Sequence, residues 1–437
     1  MADSKLSFFR QGAWMVIATI LGGVGMTFVQ TFLSVKLATD DYNQFKLLLG
    51  IFYILGAPQA GIWTMFAQQT AMAVTPAQTG AVARAAWQTA LAIAAAMGAG
   101  AIYLVFAGPT LATQLKLQGA GSLWATWSLM LATLWLGIGR GILQGRQDFF
   151  SLGWVSILDG VGRAACVVAA VLIFHAHAAG AILGALAGNI AALIVGIWAI
   201  WPVIRQPGSS PRWRQWLGIL IPLTIVAGAL QTLSQFDLIF LRGLIPKDRI
   251  AEFDVGQRYI PAQIFGFALT QFTVPLAMVM FPKIARSRVL AEKSDALKWT
   301  ILATVILGGL AALGLTLIPW LPLRILFPKF DPKIASPLVP WMGWAMLAYT
   351  IANVFVGNLL AHGRYRVVAG AAVVAVIFVG ALKFAGPDIL KAGPVDGLKL
   401  VVLTVAGANL LLLAIAGWFS RAARSDTGTL QSTKDSG

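Results

Sequence analysis

Asp159 and Arg163 stand four residues apart inside a long apolar run. That spacing puts both side chains on one face of a helix. A charge buried in an apolar helix costs roughly 2.5–3.5 kcal/mol to place in lipid, so it calls for a partner or a wet cavity. The chemistry on offer is anion recognition, because a guanidinium fork holds a phosphate bidentately while a neighbouring carboxylate orients it. The bland alternative is a self-neutralising pair that stabilises helix packing. Arg258 poses the same question more sharply. It reads as lying near the middle of its helix, beside Gln257 and Gln263, with Asp254 one turn back and Asp237 on the preceding helix as its nearby acids. Other polar side chains cluster on the same two stretches and one earlier: Gln231, Gln235 and Asp237, then Gln59, Gln68 and Gln69 with Trp63. Amides and aromatic faces suit sugar hydroxyls and ring C–H faces. The glutamines serve equally well as bonds between packed helices, and Trp63 as packing or interfacial belt.

The chemistry absent from the sequence is as informative. There is no Walker-type phosphate loop, nucleophile elbow or metalloprotease helix motif. His175 and His177 are spaced poorly for one helical face and read as loop residues without Cys or carboxylate co-ligands. Cys166 is the only cysteine, so an internal disulfide is excluded. No catalytic residue, metal or cofactor is expected, and the chain reads as a non-enzyme.

The elements that carry these residues follow from composition. Of 437 residues, 58% are hydrophobic and 11% charged, with a mean hydropathy of +0.80. Those values point to lipid as the solvent, and the long apolar segments without alternation point to helices, not barrel strands. Twelve spans are read at 12–36, 44–74, 81–107, 120–143, 152–175, 178–201, 216–241, 251–281, 297–320, 335–361, 365–386 and 395–419. The net charge of +16 is a loop property under the positive-inside rule, not a sign of nucleic-acid binding. Eighteen Lys and Arg residues fall on the side of the termini against twelve opposite, Lys46 among the latter and Arg140 among the former. Both termini are therefore expected to be cytoplasmic, in a multi-pass protein of a bacterial inner membrane.

The midpoint segment 204–215, rich in Pro, Gly and Ser, reads as a cytoplasmic linker between an N-terminal lobe, 1–203, and a C-terminal lobe, 216–419. A polar tail, 420–437, reads as disordered. Trp124 and Trp127 reappear as Trp341 and Trp344 at an offset of 217 (341 − 124), and Gly145-Arg146 as Gly363-Arg364 at 218 (363 − 145). A near-constant offset implies six spans repeated in parallel orientation, giving two lobes around a central cavity. The fold expected is thus an all-α polytopic membrane protein.

The segment Leu143-Gln144-Gly145-Arg146-Gln147-Asp148-Phe149, the helix after it with Arg163, Asp237 late in span seven, and Phe281-Pro282-Lys283 resemble the oligosaccharide flippases. These belong to the multidrug/oligosaccharidyl-lipid/polysaccharide exporter superfamily. The resemblance spans essentially the whole chain through loose patterns. It implies alternating access and translocation of an undecaprenyl-diphosphate-linked oligosaccharide to the outer leaflet, as in O-antigen, lipopolysaccharide or capsule biosynthesis. It further implies spans one, two, seven and eight as cavity lining, and a glycan polymerase, glycosyltransferases, membrane lipids and a coupling cation as partners. The lipid II branch usually carries fourteen spans, so twelve favours the O-antigen and capsule type. Two rivals remain. A cation-coupled multidrug antiporter of the same superfamily would want an acidic, aromatic cavity, whereas Arg163 and Arg258 make this one mixed. A membrane-embedded O-antigen polymerase or ligase would want a large external loop, and no loop here reaches that size.

Overall fold

In lipid every backbone polar group must be satisfied within the chain, and long helices are how this sequence does it. The computed structural model describes residues 2–73, 75–174, 177–271, 296–361 and 364–432. The first eight helices are α1 (Ala2–Lys36), α2 (Thr39–Leu55), α3 (Pro58–Ala71), α4 (Pro76–Gln114), α5 (Gly121–Gly145), α6 (Phe149–Ile173), α7 (Ala178–Ile204) and α8 (Trp213–Leu244). Short turns follow at Lys247–Arg249, Ile250–Phe253 and Val255–Arg258. Four more long helices follow among the described residues, α9 (Ile260–Gln271), α10 (Ala296–Leu317), α11 (Val339–Ala361) and α12 (Arg366–Ser432), with short helical segments at Trp320–Leu326, Pro332–Ala335 and Ser336–Leu338 between α10 and α11.

The span count largely matches expectation. Among the described residues nine helices are long and apolar enough to cross a membrane, and ten if α2 and α3, bent by 42° at Gly56-Ala57, form one span. The apolar part of α12 runs 56 residues. At 1.5 Å per residue that is about 84 Å, well beyond one bilayer of ~30 Å. It breaks at Gly393, whose φ of +84° suits a residue without a side chain, and so supplies two spans. The eighth expected span is described only as far as Gln271, and Phe281-Pro282-Lys283 and Gly363 lie outside the described residues. The protein is a multi-pass, all-helical membrane protein.

The chain divides into two compact units, residues 1–228 and 229–437. The division falls inside α8 and not in the 204–215 segment read as a linker. The 204–215 segment is no free hinge, because Ser209 Oγ donates to the Ala77 carbonyl (2.9 Å) and Trp213 Nε1 to Gln88 Oε1 (3.1 Å) on α4. Beyond it, Trp216 packs edge-on to Phe66, and Gly61 meets Leu220 and Thr224. Aromatic and small-residue packing thus fixes the linker and the first half of α8 to the first unit. At the other end, α12 continues to Ser432, through most of the tail expected to be disordered. Helix propagation from an ordered span carries it through Arg421, Ala422, Ala423 and Arg424, all good helix formers.

Each unit is organised around its fourth span. In the first, α5 packs against α3, α4 and α7; in the second, α11 packs against α9, α10 and α12. Trp127 of α5 donates to Met97 O of α4 (3.0 Å), and Trp344 of α11 to Thr316 Oγ1 of α10 (3.0 Å). The two tryptophans flagged by the repeat therefore tie span four to span three in one unit and span ten to span nine in the other. Small residues bring the helices together, as expected without a hydrophobic drive between them. On α5, Gly137, Gly141 and Gly145 recur every four residues, and a Cβ on Gly141 would lie 2.6 Å from the Trp63 carbonyl oxygen.

Candidate functional site

The polar side chains of the first unit gather on α6. Its central turn, Leu158–Gly162, is π-helical, a distortion frequent at functional positions because it turns side chains out of the regular register. Asp159 sits in this turn. Arg163 Nη2 donates to Asp159 Oδ1, and Arg140 Nη2 of α5 donates to Asp159 Oδ2 at 2.7 Å. Asn189 Nδ2 of α7 donates to Oδ1 at 2.9 Å. Glycines permit this convergence: a Cβ on Gly160 would strike the backbone of Gly22 on α1, and one on Gly188 of α7 would strike the backbone of Arg163. The expected intrahelical pair is present, but it is not self-neutralising. Two guanidiniums share one carboxylate, which leaves one positive charge over.

The donors are also incompletely used. Arg140 Nε and Arg163 Nε are buried without a hydrogen-bond partner among the described residues. Such orphan donors are uncommon in native interiors and need an explanation. Arg163 reaches the wall of a narrow cleft lined also by Met26, Gln30, Phe45, Leu48, Phe52 and Thr126. Gln30 Oε1 accepts from Lys46 Nζ at 3.0 Å.

Several residues that matter here were misplaced by sequence reasoning. Arg140 was counted among the charges on the side of the termini, yet it is buried in α5. Its guanidinium lies 5.4 Å from the centroid of the Trp63 ring, which joins Trp63 to the cluster. Trp63 Nε1 donates to Gln144 Oε1 at 2.5 Å. Lys46, counted as an outside-loop charge, is buried in α2. A Lys or Arg followed by several apolar residues was the available signal in both cases. Asn189 was missed because a lone amide in an apolar helix carries no pattern. Gln68 and Gln69 are half-buried on α3 with no side-chain hydrogen bond among the described residues and do not join the cluster. Gln59 packs on Gly137. His175 is outside the described residues, whereas His177 Nδ1 pairs with buried Asp41 at 2.8 Å.

The second unit holds a different arrangement. Asp237 of α8 accepts from Tyr259 Oη (2.5 Å) and from Gln263 Nε2 (3.0 Å) and is 2% exposed. Tyr259 was missed, since a tyrosine in an apolar helix reads as packing. Ser234 Oγ donates to the Gln231 carbonyl (3.1 Å), and Gln235 is buried nearby on α8. Arg258 ends the short helix Val255–Arg258, so it lies at the broken entrance of the eighth span and not near its middle. Asp254, at left-handed φ of +37°, starts that short helix by accepting from Gln257 N at 3.3 Å. Both acids proposed to neutralise Arg258 are thus engaged elsewhere, and its buried Nε has no partner among the described residues. No group of three or more potential metal ligands occurs among them either.

Comparison with solved structures gives the fold a context. The chain superposes on an inward-facing multidrug resistance MATE family transporter of the MOP superfamily with a TM-score of 0.68 at 11% identity, covering 96% of this chain and 99% of that one. A MOP superfamily transporter from Pyrococcus furiosus, described as having a binding pocket of reverse polarity, gives 0.69 at 11% over 95% and 96%. The lipid II flippase MurJ, in an inward closed conformation, gives 0.69 at 15% over 93% and 87%. No family model and no curated protein matches the sequence. The chain therefore has the fold shared by these MOP superfamily transporters.

Proposed function

We propose that this protein is a flippase for a lipid-linked oligosaccharide, moving an undecaprenyl-diphosphate-linked glycan from the cytoplasmic to the outer leaflet by alternating access. The observation that carries the reading is the arrangement of Arg140 and Arg163 around the single carboxylate of Asp159, with unused guanidinium donors on both. A net cation in a low-dielectric interior is costly unless an anion completes it. A diphosphate supplies the charge and the acceptor oxygens, and Trp63 with the neighbouring amides suits sugar. Arg258, free of both nearby acids, is a second phosphate contact in this reading. The lipid II flippase among the similar structures supports a lipid-linked substrate, and surface-glycan biosynthesis at the inner membrane is the setting.

The rival, a cation-coupled multidrug antiporter, has one observation in its favour. Asp237 is a deeply buried acid held only by neutral donors, Tyr259, Gln263 and the Leu238 amide, among the described residues. Such an acid suits a proton or a coupling cation. It serves equally in a flippase that is driven by a cation gradient. The deciding test is export in cells lacking the endogenous flippase. Arg163→Gln at wild-type abundance should abolish surface glycan while leaving resistance to cationic drugs unchanged. Loss of drug resistance with normal glycan would establish the antiporter.

A further inference from the structure

The strap between α7 and α8, with the first turn of α8, carries Arg205, Arg212 and Arg214, all exposed, and runs along the start of α4, which adds exposed Arg84. Its Pro, Gly and Ser content suggests a flexible joint, but the strap is pinned. Besides the Ser209 and Trp213 bonds, Trp87 Nε1 donates to Ile204 O at 3.2 Å, and Arg84 Nη1 reaches Gly208 O at 3.5 Å. Contact with α4 is close enough that a Cβ on Gly80 would strike the Pro207 carbonyl. The cations are therefore presented on a fixed surface.

Among the described residues no acid pairs with these cations. The sequence has no Asp or Glu between Asp41 and Asp148, nor between Asp159 and Asp237. Asp148 is committed to the start of α6, where it accepts from Ser151 N (3.1 Å) and Ser151 Oγ (2.8 Å). Asp159 is committed to its two arginines. Beside the cations stand two exposed indoles, Trp87 and Trp201, and the Arg205 guanidinium lies 5.8 Å over the Trp201 ring. Indoles at a helix end sit at headgroup level in a bilayer, where an aqueous phosphate would have no use for them.

We propose that this strap is a docking site for anionic phospholipid headgroups of the leaflet it faces, with Arg205, Arg212 and Arg214 as the phosphate contacts and Trp87 and Trp201 as the interfacial anchors. Zwitterionic lipids bring their own cation and bind there weakly. The proposal is independent of what the protein transports. Each arginine near an anionic surface contributes roughly fivefold in affinity, so neutralising three should cost roughly a hundredfold.

The test uses the full chain in detergent with a polarity-sensitive fluorophore on Ser210→Cys, in a Cys166→Ala background that removes the only native thiol. Dioctanoyl-phosphatidylglycerol and dioctanoyl-phosphatidylcholine are titrated separately. The reporter should respond to the glycerol lipid at far lower concentration than to the choline lipid, and the response should weaken with added salt. Arg205→Gln/Arg212→Gln/Arg214→Gln should shift the phosphatidylglycerol midpoint roughly a hundredfold upward. The triple lysine variant should retain most of the affinity, because charge and not fork geometry carries it. An unshifted midpoint in the glutamine variant, or loss in the lysine variant at unchanged melting temperature, would overturn the proposal. Competition by equimolar inorganic phosphate would assign the site to free phosphate and overturn it as well.

Discussion

Removing the Asp159 carboxylate is the sharpest perturbation of the first-unit cluster, because its outcome differs from that of removing an arginine. Asp159→Asn leaves Arg140 and Arg163 facing each other in a site where their side chains are 10% and 6% exposed. Breaking a buried pair by deleting one partner costs about 3–5 kcal/mol, and here two cations lose their partner at once. For a unit of some 200 residues, each kcal/mol moves the melting temperature by about 2–4 °C, which gives a fall of roughly 6–20 °C. Arg163→Gln should behave otherwise. It keeps the 2.7 Å Arg140 bond and the 2.9 Å Asn189 bond to Asp159, and it cancels the surplus charge. Its melting temperature should stay within about 4 °C of wild type while glycan export is lost. The assay is thermal unfolding of purified protein in detergent, paired with surface-glycan staining in cells. Combining both substitutions should cost less than the sum of the two, since the repulsion that Asp159→Asn releases needs Arg163. If Asp159→Asn melts within 2 °C of wild type, the shared-carboxylate account is wrong.

Arg258→Ala should abolish export, and Arg258→Lys should reduce it strongly with the protein still in the membrane, because a point charge does not replace a bidentate fork; normal glycan with Arg258→Ala would remove the residue from the site. Tyr259→Phe deletes one of three donors to Asp237 and should lower stability by about 1–3 kcal/mol, read as a melting shift, with no shift contradicting the bond. Gly188→Val should prevent α7 from seating against Arg163 and sharply lower folded protein in membranes, and normal yield would refute the close contact. A reporter active only in the cytoplasm should work when fused after Ser210 and be silent after Pro387, and the reverse would invert the orientation.

The architecture was legible because lipid imposes one rule on every span. Length and apolarity located most of the helices, but α1 starts ten residues before its expected span and α4 covers 76–114 against an expected 81–107, while the paired tryptophans pointed to a repeat. A second trace of that repeat emerges from the hydrogen bonds. Lys46 bonds Gln30 between the first two spans, and Gln263 bonds Asp237 between spans seven and eight, with Tyr42 and Tyr259 both fully buried. Tyr42 to Tyr259 and Lys46 to Gln263 share the offset of 217 (259 − 42), while Gln30 to Asp237 is 207 (237 − 30), since the loop before span eight is longer. Lys46 and Gln263, like Gln30 and Asp237, differ in type and could not be paired by comparing the halves, whereas the Tyr42 and Tyr259 pair was open to view and was overlooked. The candidate site was half legible. Asp159 and Arg163 announced themselves by spacing, whereas Arg140 lies nineteen residues before Asp159 on another helix and was counted only toward the charge bias. Pro and Gly in the 204–215 segment report backbone freedom and not the tryptophans that pin the strap.

The most direct test of the flippase reading is translocation by the purified full chain in proteoliposomes. Undecaprenyl-diphosphate-linked oligosaccharide is placed in the leaflet equivalent to the cytoplasmic one, and its exposure to an added lectin is followed with and without a cation gradient. The account predicts protein-dependent exposure that Arg163→Gln eliminates. Absence of glycan exposure in vesicles that do move a cationic dye against its gradient would contradict it.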